Sequence, residues 1–121
     1  MVPGTTTVVL TEIESETLDS TRSPCCSLYH RAVELVGKRW TGAILIVMLD
    51  GPVRFSEIRQ LVPDLSDRLL SERLKELEGE QIVGRRQDCD SPACVKYELT
   101  EKGQALEPAL RALKAWAHEH R

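Results

Sequence analysis

The chain has 121 residues, of which 41% are hydrophobic and 29% are charged, and this is enough for one globular domain with a single core. Its longest uninterrupted apolar run, residues 43–49, is far shorter than the roughly 18 residues that a membrane-spanning helix needs, so no transmembrane segment is expected. The formal net charge is −3, which is unusual for a protein that binds nucleic acid.

The negative charge is concentrated at the N-terminus. The chain has 16 basic and 19 acidic side chains, and residues 1–24 hold one of the former and four of the latter, so residues 25–121 hold 15 of each. A neutral body can still carry a basic face, so charge neither supports nor excludes DNA binding. Residues 1–24 are rich in Thr, Ser and Glu and lack a helical period, which predicts a flexible arm before a domain at 25–121. They also lack the basic and apolar regions of a secretory signal, so we expect a cytoplasmic protein with reduced thiols.

Three helices and a very short strand are predicted before residue 64. The stretch "LYHRAVELVG" has helical spacing and ends at Gly37, a natural C-cap. The stretch "RWTGAILIVMLDG" is apolar on almost all sides, as a central buried helix would be, and ends at Gly51 and Pro52. "VRF" leaves room for a short strand, and "SEIRQLV" predicts a short helix that Pro63 terminates, with Phe55 as a core anchor.

The next segment, "LSDRLLSERLKELEGEQIVGRR" at residues 65–86, predicts a helix followed by a strand. Ser66 is a good N-cap, and the leucines at 70, 74 and 77 form one buried stripe. The opposite face carries Arg68, Ser71, Glu72 and Lys75.

The last third predicts a hairpin and a helix. "IVGRRQDCDSPACVKYEL" reads as two strands joined at the turn residues 90–92. Thr100 caps a final helix with a kink at Pro108. Its apolar side carries Leu106, Leu110, Leu113 and Trp116. The order of elements predicts a mainly α fold with a small antiparallel β wing, a winged helix-turn-helix whose fourth helix can lie in the major groove while the basic hairpin grips the backbone.

The motifs "GKRW", "LDGPVRFSEI", "LSDRLLSERLKELE" and "YELTEKG" occur in an order and spacing that closely resemble the HxlR family of bacterial winged-helix transcription regulators. The resemblance extends from about Cys25 to His120. It implies a homodimer that binds a palindromic operator, and a cysteine before the first helix that senses oxidants or small electrophiles. Cys26, or its neighbour Cys25, occupies that place. The doubled cysteine and a second pair, Cys89 and Cys94, depart from the family pattern.

The expected DNA contacts divide by role. Arg68, near the start of its helix, is best placed for base edges, because arginine to guanine is the commonest specific contact. The wing cations are expected to meet phosphates, whereas Arg73 falls nearer the buried stripe and is expected to form an intramolecular ion pair. The full set of expected DNA-binding residues is Ser66, Arg68, Ser71, Glu72, Lys75, Arg85, Arg86 and Lys96.

The cysteines allow more than one interpretation. Cys25, Cys26, Cys89 and Cys94 are all candidate redox-sensing residues, with Cys26 favoured. The wing pair flanks a four-residue tip, and a Cα separation of about 4.5–5.5 Å across a hairpin would permit a disulfide. Neither pair has the spacing of a closed zinc site, so no metal and no cofactor are expected.

Two other classes of function stay open beside a DNA-binding regulator. Cys26 and His30 share a helix face, as in a thiol-dependent enzyme, but no orienting group or oxyanion motif accompanies them, and we expect no enzymatic activity. The fold could also serve as a protein-interaction adaptor without redox sensing. The long apolar stripe of the final helix predicts burial against a second copy of the chain.

Overall fold

The computed structural model describes residues 22–121. The predicted arm at 1–24 therefore lies, but for its last three residues, outside the described residues. By its internal contacts the chain divides after Glu34 into two units. Within 22–121, no helix is both long enough and apolar enough to cross a membrane.

The described residues form six α-helices, a short 3-10 helix at Pro92–Cys94 and one two-stranded sheet, in the predicted order except that the last helix is divided in two. The helices are α1 (Ser27–Val36), α2 (Thr41–Met48), α3 (Phe55–Leu61), α4 (Asp67–Gly79), α5 (Glu101–Gln104) and α6 (Glu107–Glu119), and the strands are β1 (Val83–Gln87) and β2 (Val95–Leu99). The strands are antiparallel and pair Val83 with Leu99 and Gln87 with Val95. The prediction of a mainly α fold with a small antiparallel β wing is confirmed.

Helix α2 lies at the centre of the core. Ile44 and Leu45 have no exposed surface, and the helix packs against α3, β2 and α6, which explains why its sequence is apolar on almost all sides. Gly51 follows with φ 131°, a backbone conformation that residues with a Cβ rarely adopt. The predicted strand at "VRF" is a single bridge, in which Val53 N donates to Tyr97 O at 2.9 Å and Tyr97 N to Val53 O at 2.7 Å.

The segment after β2 differs from the prediction of one kinked helix. Helix α5 ends at Gln104 and α6 begins at Glu107, so the structure has a break where a kink was predicted. Pro108 has no N–H to donate to the carbonyl of Gln104, and its fixed φ suits the first turn of a new helix.

The motif "YELTEKG" ties the wing to the end of α4. The Thr100 hydroxyl accepts a hydrogen bond from Gly103 N at 3.1 Å and donates one to Gln81 O at 2.6 Å. Gly103 lies so close to Ile82 that a Cβ there would overlap the Ile82 carbonyl oxygen. Helix α5 is therefore held directly against the junction at which α4 leads into β1.

Candidate nucleic-acid interface

Helices α3 and α4 form a rigid pair around a short turn. Ser66 is the N-cap of α4, as predicted, and its hydroxyl accepts from Leu69 N at 3.1 Å. Across the turn, Arg59 Nε lies 2.7 Å from Asp67 Oδ1. Ile58 and Leu65 are fully buried beneath the turn. The direction of α4 relative to α3 is thus fixed by a cap, an ion pair and two core side chains.

Helix α4 has one buried side and one charged side. Leu70, Leu74 and Leu77 are at most 1% exposed, which confirms the predicted stripe. The opposite side is the recognition face, and all four of its predicted members are exposed, namely Arg68, Ser71, Glu72 and Lys75. The structure therefore brings these four residues together on one surface.

Arg68 is a highly exposed cation of the recognition face. Its side chain is 90% exposed, and its Nε donates to Glu72 Oε2 at 3.3 Å. Among residues 22–121, its two Nη groups have no hydrogen-bond partner. Glu72 can thus steady the side chain from one helical turn away while the forked end of the guanidinium stays free to contact a ligand.

A second group of contacts ties α4 to the residues before α2. Arg73 Nε donates to the carbonyl oxygen of Arg39 at 3.0 Å, and Arg73 Nη1 lies 3.3 Å from Glu76 Oε2. Lys38 Nζ approaches the same carboxylate at 3.1 Å. The ion pair predicted for Arg73 is confirmed. Arg73 is only 15% exposed, so its role is to position α4.

The two faces of the hairpin separate the wing cations. Val83, Tyr97 and Leu99 are buried on the side directed at the core. Arg85, which is paired with Tyr97 in the strand register, lies on the same side. Its Nε is 3.4 Å from Glu78 Oε1 at the end of α4, and its guanidinium carbon is 5.6 Å from the ring centroid of Tyr97. Arg85 therefore connects the wing to α4.

The other side of the hairpin, the outward wing face, carries Arg86, Asp88, Lys96 and Glu98. Arg86 and Lys96 are directly opposite each other in the strand register. Both approach the carboxylate of Asp88, Arg86 Nε at 2.9 Å and Lys96 Nζ at 3.8 Å. Exposed ion pairs of this kind contribute about 0–1 kcal/mol each, and a phosphate that displaces the carboxylate has to replace both of them.

Asp88 is a site residue that the sequence prediction missed. The alternation of a strand places residues 86 and 88 on one side, and this would have been the signal. Whether a carboxylate at that position meets both cations is decided by the conformation of the tip, which alternation does not specify.

The four cysteines form two different pairs. Cys25 and Cys26 are free and exposed just before α1, and the nearby His30 has its Nε2 at 3.5 Å from Glu34 Oε2. Cys89 and Cys94 are joined by a disulfide with a Cα separation of 5.5 Å, within the range predicted for the hairpin. Within 22–121, no group of three or more His, Cys, Asp or Glu side chains is arranged to hold a metal ion.

Comparisons with known proteins agree with this geometry. A sequence profile described as HxlR-like helix-turn-helix matches residues 35–121. The chain belongs to this family. It is similar to the HTH-type transcriptional regulator YodB of Bacillus subtilis (strain 168), with 46% identity over 94 residues that cover 78% of this chain and 84% of YodB.

Two solved structures show the same fold. The quinone-bound YodB from B. subtilis matches with a TM-score of 0.67 at 44% identity, covering 78% of this chain and 99% of that one. The redox regulator HypR in its reduced form matches with a TM-score of 0.74 at 36% identity, covering 78% and 94%. The protein is thus a DNA-binding transcription regulator of the HxlR type, with α3 and α4 as its helix-turn-helix and the β1–β2 hairpin as its wing.

Proposed function

We propose that the protein binds a palindromic operator as a homodimer, with α4 of each copy in a major groove and each wing on the adjacent backbone. The observation that carries this proposal is the recognition face: α4 is buried on one side, polar and charged on the other, and followed by a hairpin whose outward face carries Arg86 and Lys96. This is the arrangement by which winged helices read bases and hold phosphates.

The residues of the interface have separate roles in this docking. Arg68 reads a base edge with its free Nη groups, while Ser71, Glu72 and Lys75 line the same groove. Ser66 fixes the start of the helix and presents the N-terminal end of α4 to the backbone. On binding DNA, Arg86 and Lys96 leave the carboxylate of Asp88 and contact phosphate oxygens instead. Arg85 acts through Glu78 to set the angle of the wing.

Helix α6 supplies the support for a homodimer. Leu110 is buried against the core of its own copy, whereas Leu113 and Trp116 remain 62% and 59% exposed on the next turns. Two large neighbouring apolar side chains at the surface of one helix are typical of an interaction site. A second copy, related by a twofold axis, covers this stripe with its own and gives the symmetry that a palindrome requires.

The signal in this proposal is an oxidant or a quinone-like electrophile that acts on the N-terminal thiols. It is supported by two related structures, YodB bound to a quinone and the redox regulator HypR, and by the exposure of Cys25 and Cys26. Both thiols lie directly before the start of α1 at Ser27. The site of action is the cytoplasm, where the chromosome lies and thiols rest in the reduced state.

Selection from a random DNA pool tests the docking. The protein should enrich an inverted repeat whose half-sites are about one helical turn, roughly 10 base pairs, apart or a multiple of this. Enrichment of no sequence would favour an adaptor that uses the same fold for protein partners.

Treatment of the protein–operator complex with diamide or a quinone tests the signal. The unmodified protein should release DNA, dithiothreitol should restore binding after diamide, and Cys26→Ser should be insensitive to the quinone. Release by the quinone that persists in the Cys25→Ser, Cys26→Ser double variant would contradict the assignment to these thiols.

A further inference from the structure

Cys89 and Cys94 close the tip of the wing into a small ring. Four residues, 90–93, separate the two cysteines, whose Cα atoms are 5.5 Å apart, inside the usual range for a disulfide. The pair lies on the hairpin that carries the outward wing face, whereas the thiols of the proposed signal precede α1. The wing disulfide is therefore a second thiol site, separate in sequence and in structural element from Cys25 and Cys26.

Without the disulfide, only exposed hydrogen bonds would hold the tip. Gln87 Nε2 donates to Cys89 O at 2.6 Å, and Cys94 N donates to Ser91 O at 2.9 Å. Residues 90–93 are all exposed, so no core side chain anchors the tip. A segment with few buried contacts opens at low free-energy cost. The disulfide is consequently what keeps this tip in one conformation.

The closed tip fixes the carboxylate that neutralises the wing. Asp88 immediately precedes Cys89, and its backbone N–H donates to Cys94 O at 3.3 Å, so its backbone is part of the closed end of the hairpin. Its side chain accepts from Arg86 at 2.9 Å and approaches Lys96 at 3.8 Å. In the disulfide form the two cations of the outward wing face thus share a carboxylate that cannot move away with the tip.

We propose that Cys89 and Cys94 form a reversible redox site that weakens the phosphate contacts of the wing when it is oxidised. The inference deepens the proposed function and rests on it for the docking of the wing. In the dithiol form the tip opens and Asp88 moves away. Lys96 is then free to meet a phosphate, and Arg86 keeps only the longer pair of its Nη1 with Glu98 Oε1 at 3.8 Å. In the disulfide form Asp88 competes with the DNA for both cations.

A hydroperoxide is the oxidant that completes the cycle. Cys89 is exposed and Cys94 half-buried, so the Cys89 thiolate attacks the terminal peroxide oxygen, the O–O bond breaks and an alcohol leaves with a proton. The Cys94 thiolate then attacks the resulting sulfenic acid, the S–S bond forms and water leaves. Two thiols lose two electrons and two protons, and the hydroperoxide becomes alcohol and water. Exchange with a reduced dithiol reverses the reaction.

The test uses the full chain with Cys25→Ser and Cys26→Ser, which removes the N-terminal thiols. Cumene hydroperoxide should lower the intact mass by two hydrogen atoms and protect two thiols from alkylation, and dithiothreitol should reverse both changes. DNA affinity is measured in each state on the selected operator and on a shuffled duplex. Because each wing of the dimer contacts phosphates through Arg86 and Lys96, oxidation should weaken binding to both duplexes roughly tenfold and reduce the salt slope by up to about four, one for each cation of the two wings.

Two matched variants isolate the role of Asp88. Asp88→Asn should form the same disulfide, yet oxidation should change its affinity less than about twofold, since a neutral amide does not compete with phosphate. Asp90→Asn alters an acid of the same tip that pairs with no cation in the described part of the chain, and it should behave as the parent does. Cys89→Ser should form no wing disulfide and keep its affinity.

The outcomes separate this inference from the proposed function. If hydroperoxide forms no disulfide, if the disulfide leaves affinity unchanged, or if Asp88→Asn keeps the full loss, the redox role of the wing is overturned. Equal affinity for operator and shuffled duplex overturns base reading by α4, while the oxidation effect is still measured on the shuffled duplex.

Discussion

At the residue scale, the chain uses its arginines for opposite purposes. Arg68 is 90% exposed and held only by Nε, whereas Arg73 is 15% exposed and bonded to a backbone carbonyl and to Glu76. The Nη groups of Arg68 remain available to a ligand, whereas Arg73 uses its donors for hydrogen bonds within the protein. Both stand on α4, and only their position around the helix axis assigns them to different tasks.

Replacing Arg68 should change which bases are preferred. Arg68→Ala removes the free Nη donors and should cost about 1–3 kcal/mol on the cognate base pair, with relaxed preference at one position per half-site. Competition with a panel of operators that carry single base changes measures this. An equal loss on every duplex, shuffled DNA included, would contradict base reading by Arg68.

Replacing Arg86 should weaken binding without altering preference. Arg86→Ala removes one phosphate contact from each wing of the dimer, so all duplexes should be bound more weakly and the salt slope should fall by about two, one for each copy. Affinity measured at several salt concentrations on operator and shuffled DNA gives both quantities. A change confined to the operator would show that the wing reads bases.

The close approach of Gly103 to Ile82 predicts an effect on stability. Gly103→Ala places a methyl group against the Ile82 carbonyl oxygen and should lower the free energy of unfolding by about 1–3 kcal/mol. Gly79→Ala is the control: its Cβ would meet nothing within 4 Å, so stability should stay the same or rise by up to about 1 kcal/mol. Urea denaturation compares them, and equal midpoints would exclude the overlap.

At the element scale, the spacing of apolar residues predicted correctly those helices whose position depends on burying an apolar surface. The leucines at 70, 74 and 77 are one face of a helix in any packing, and the structure buries all three. The continuous apolar run at 43–49 likewise predicted the central helix α2. In both cases the pattern itself is the physical cause, because each helix has to bury its apolar surface.

Features that depend on tertiary placement were beyond the sequence. The break between α5 and α6 follows from Pro108 and from the contact of Gly103 with Ile82. The proline can be read from the sequence, whereas the contact depends on the tertiary structure. Arg85 and Arg86 are neighbours of one type, so they were expected to act alike. Because side chains alternate along a strand, the two arginines lie on opposite faces of the hairpin, where Arg85 forms an ion pair with Glu78 and Arg86 forms one with Asp88.

The same holds for the start of α2. Trp40 has φ 75°, a left-handed conformation that is uncommon for an aromatic residue, and the Arg39 guanidinium carbon lies 5.3 Å from the centroid of its ring. The motif "GKRW" marked this place without giving its geometry. The carbonyl of Arg39, which receives Arg73 from α4, could not be identified from residue types alone.

At the scale of the whole molecule, the exposed stripe of α6 predicts association. Leu113→Glu places a charge where the proposed partner copy packs and should yield monomers that bind the operator weakly. Lys114→Glu introduces the same charge on the adjacent, polar side of α6 and should leave the dimer intact. Light scattering coupled to size-exclusion chromatography decides this. A monomeric unmodified protein at micromolar concentration would refute dimerisation through α6.

The net charge of −3 is compatible with DNA binding because exposed cations lie on the two surfaces that are proposed to contact DNA. Arg68 and Lys75 project from the recognition face, and Arg86 and Lys96 from the outward wing face. The carboxylates beside them, Glu72 and Asp88, make exposed ion pairs with these cations, which contribute about 0–1 kcal/mol each.

The most direct test of this account is the ratio of affinities for the selected operator and for a shuffled duplex of the same composition. It is measured by fluorescence anisotropy of labelled DNA at about 0.15 M salt with fully reduced protein. If α4 reads bases in the major groove, the operator should be bound at least about 10³-fold more tightly, and Arg68→Ala should reduce that ratio. A ratio near one for the unmodified protein would contradict the assignment of α4 as a recognition helix.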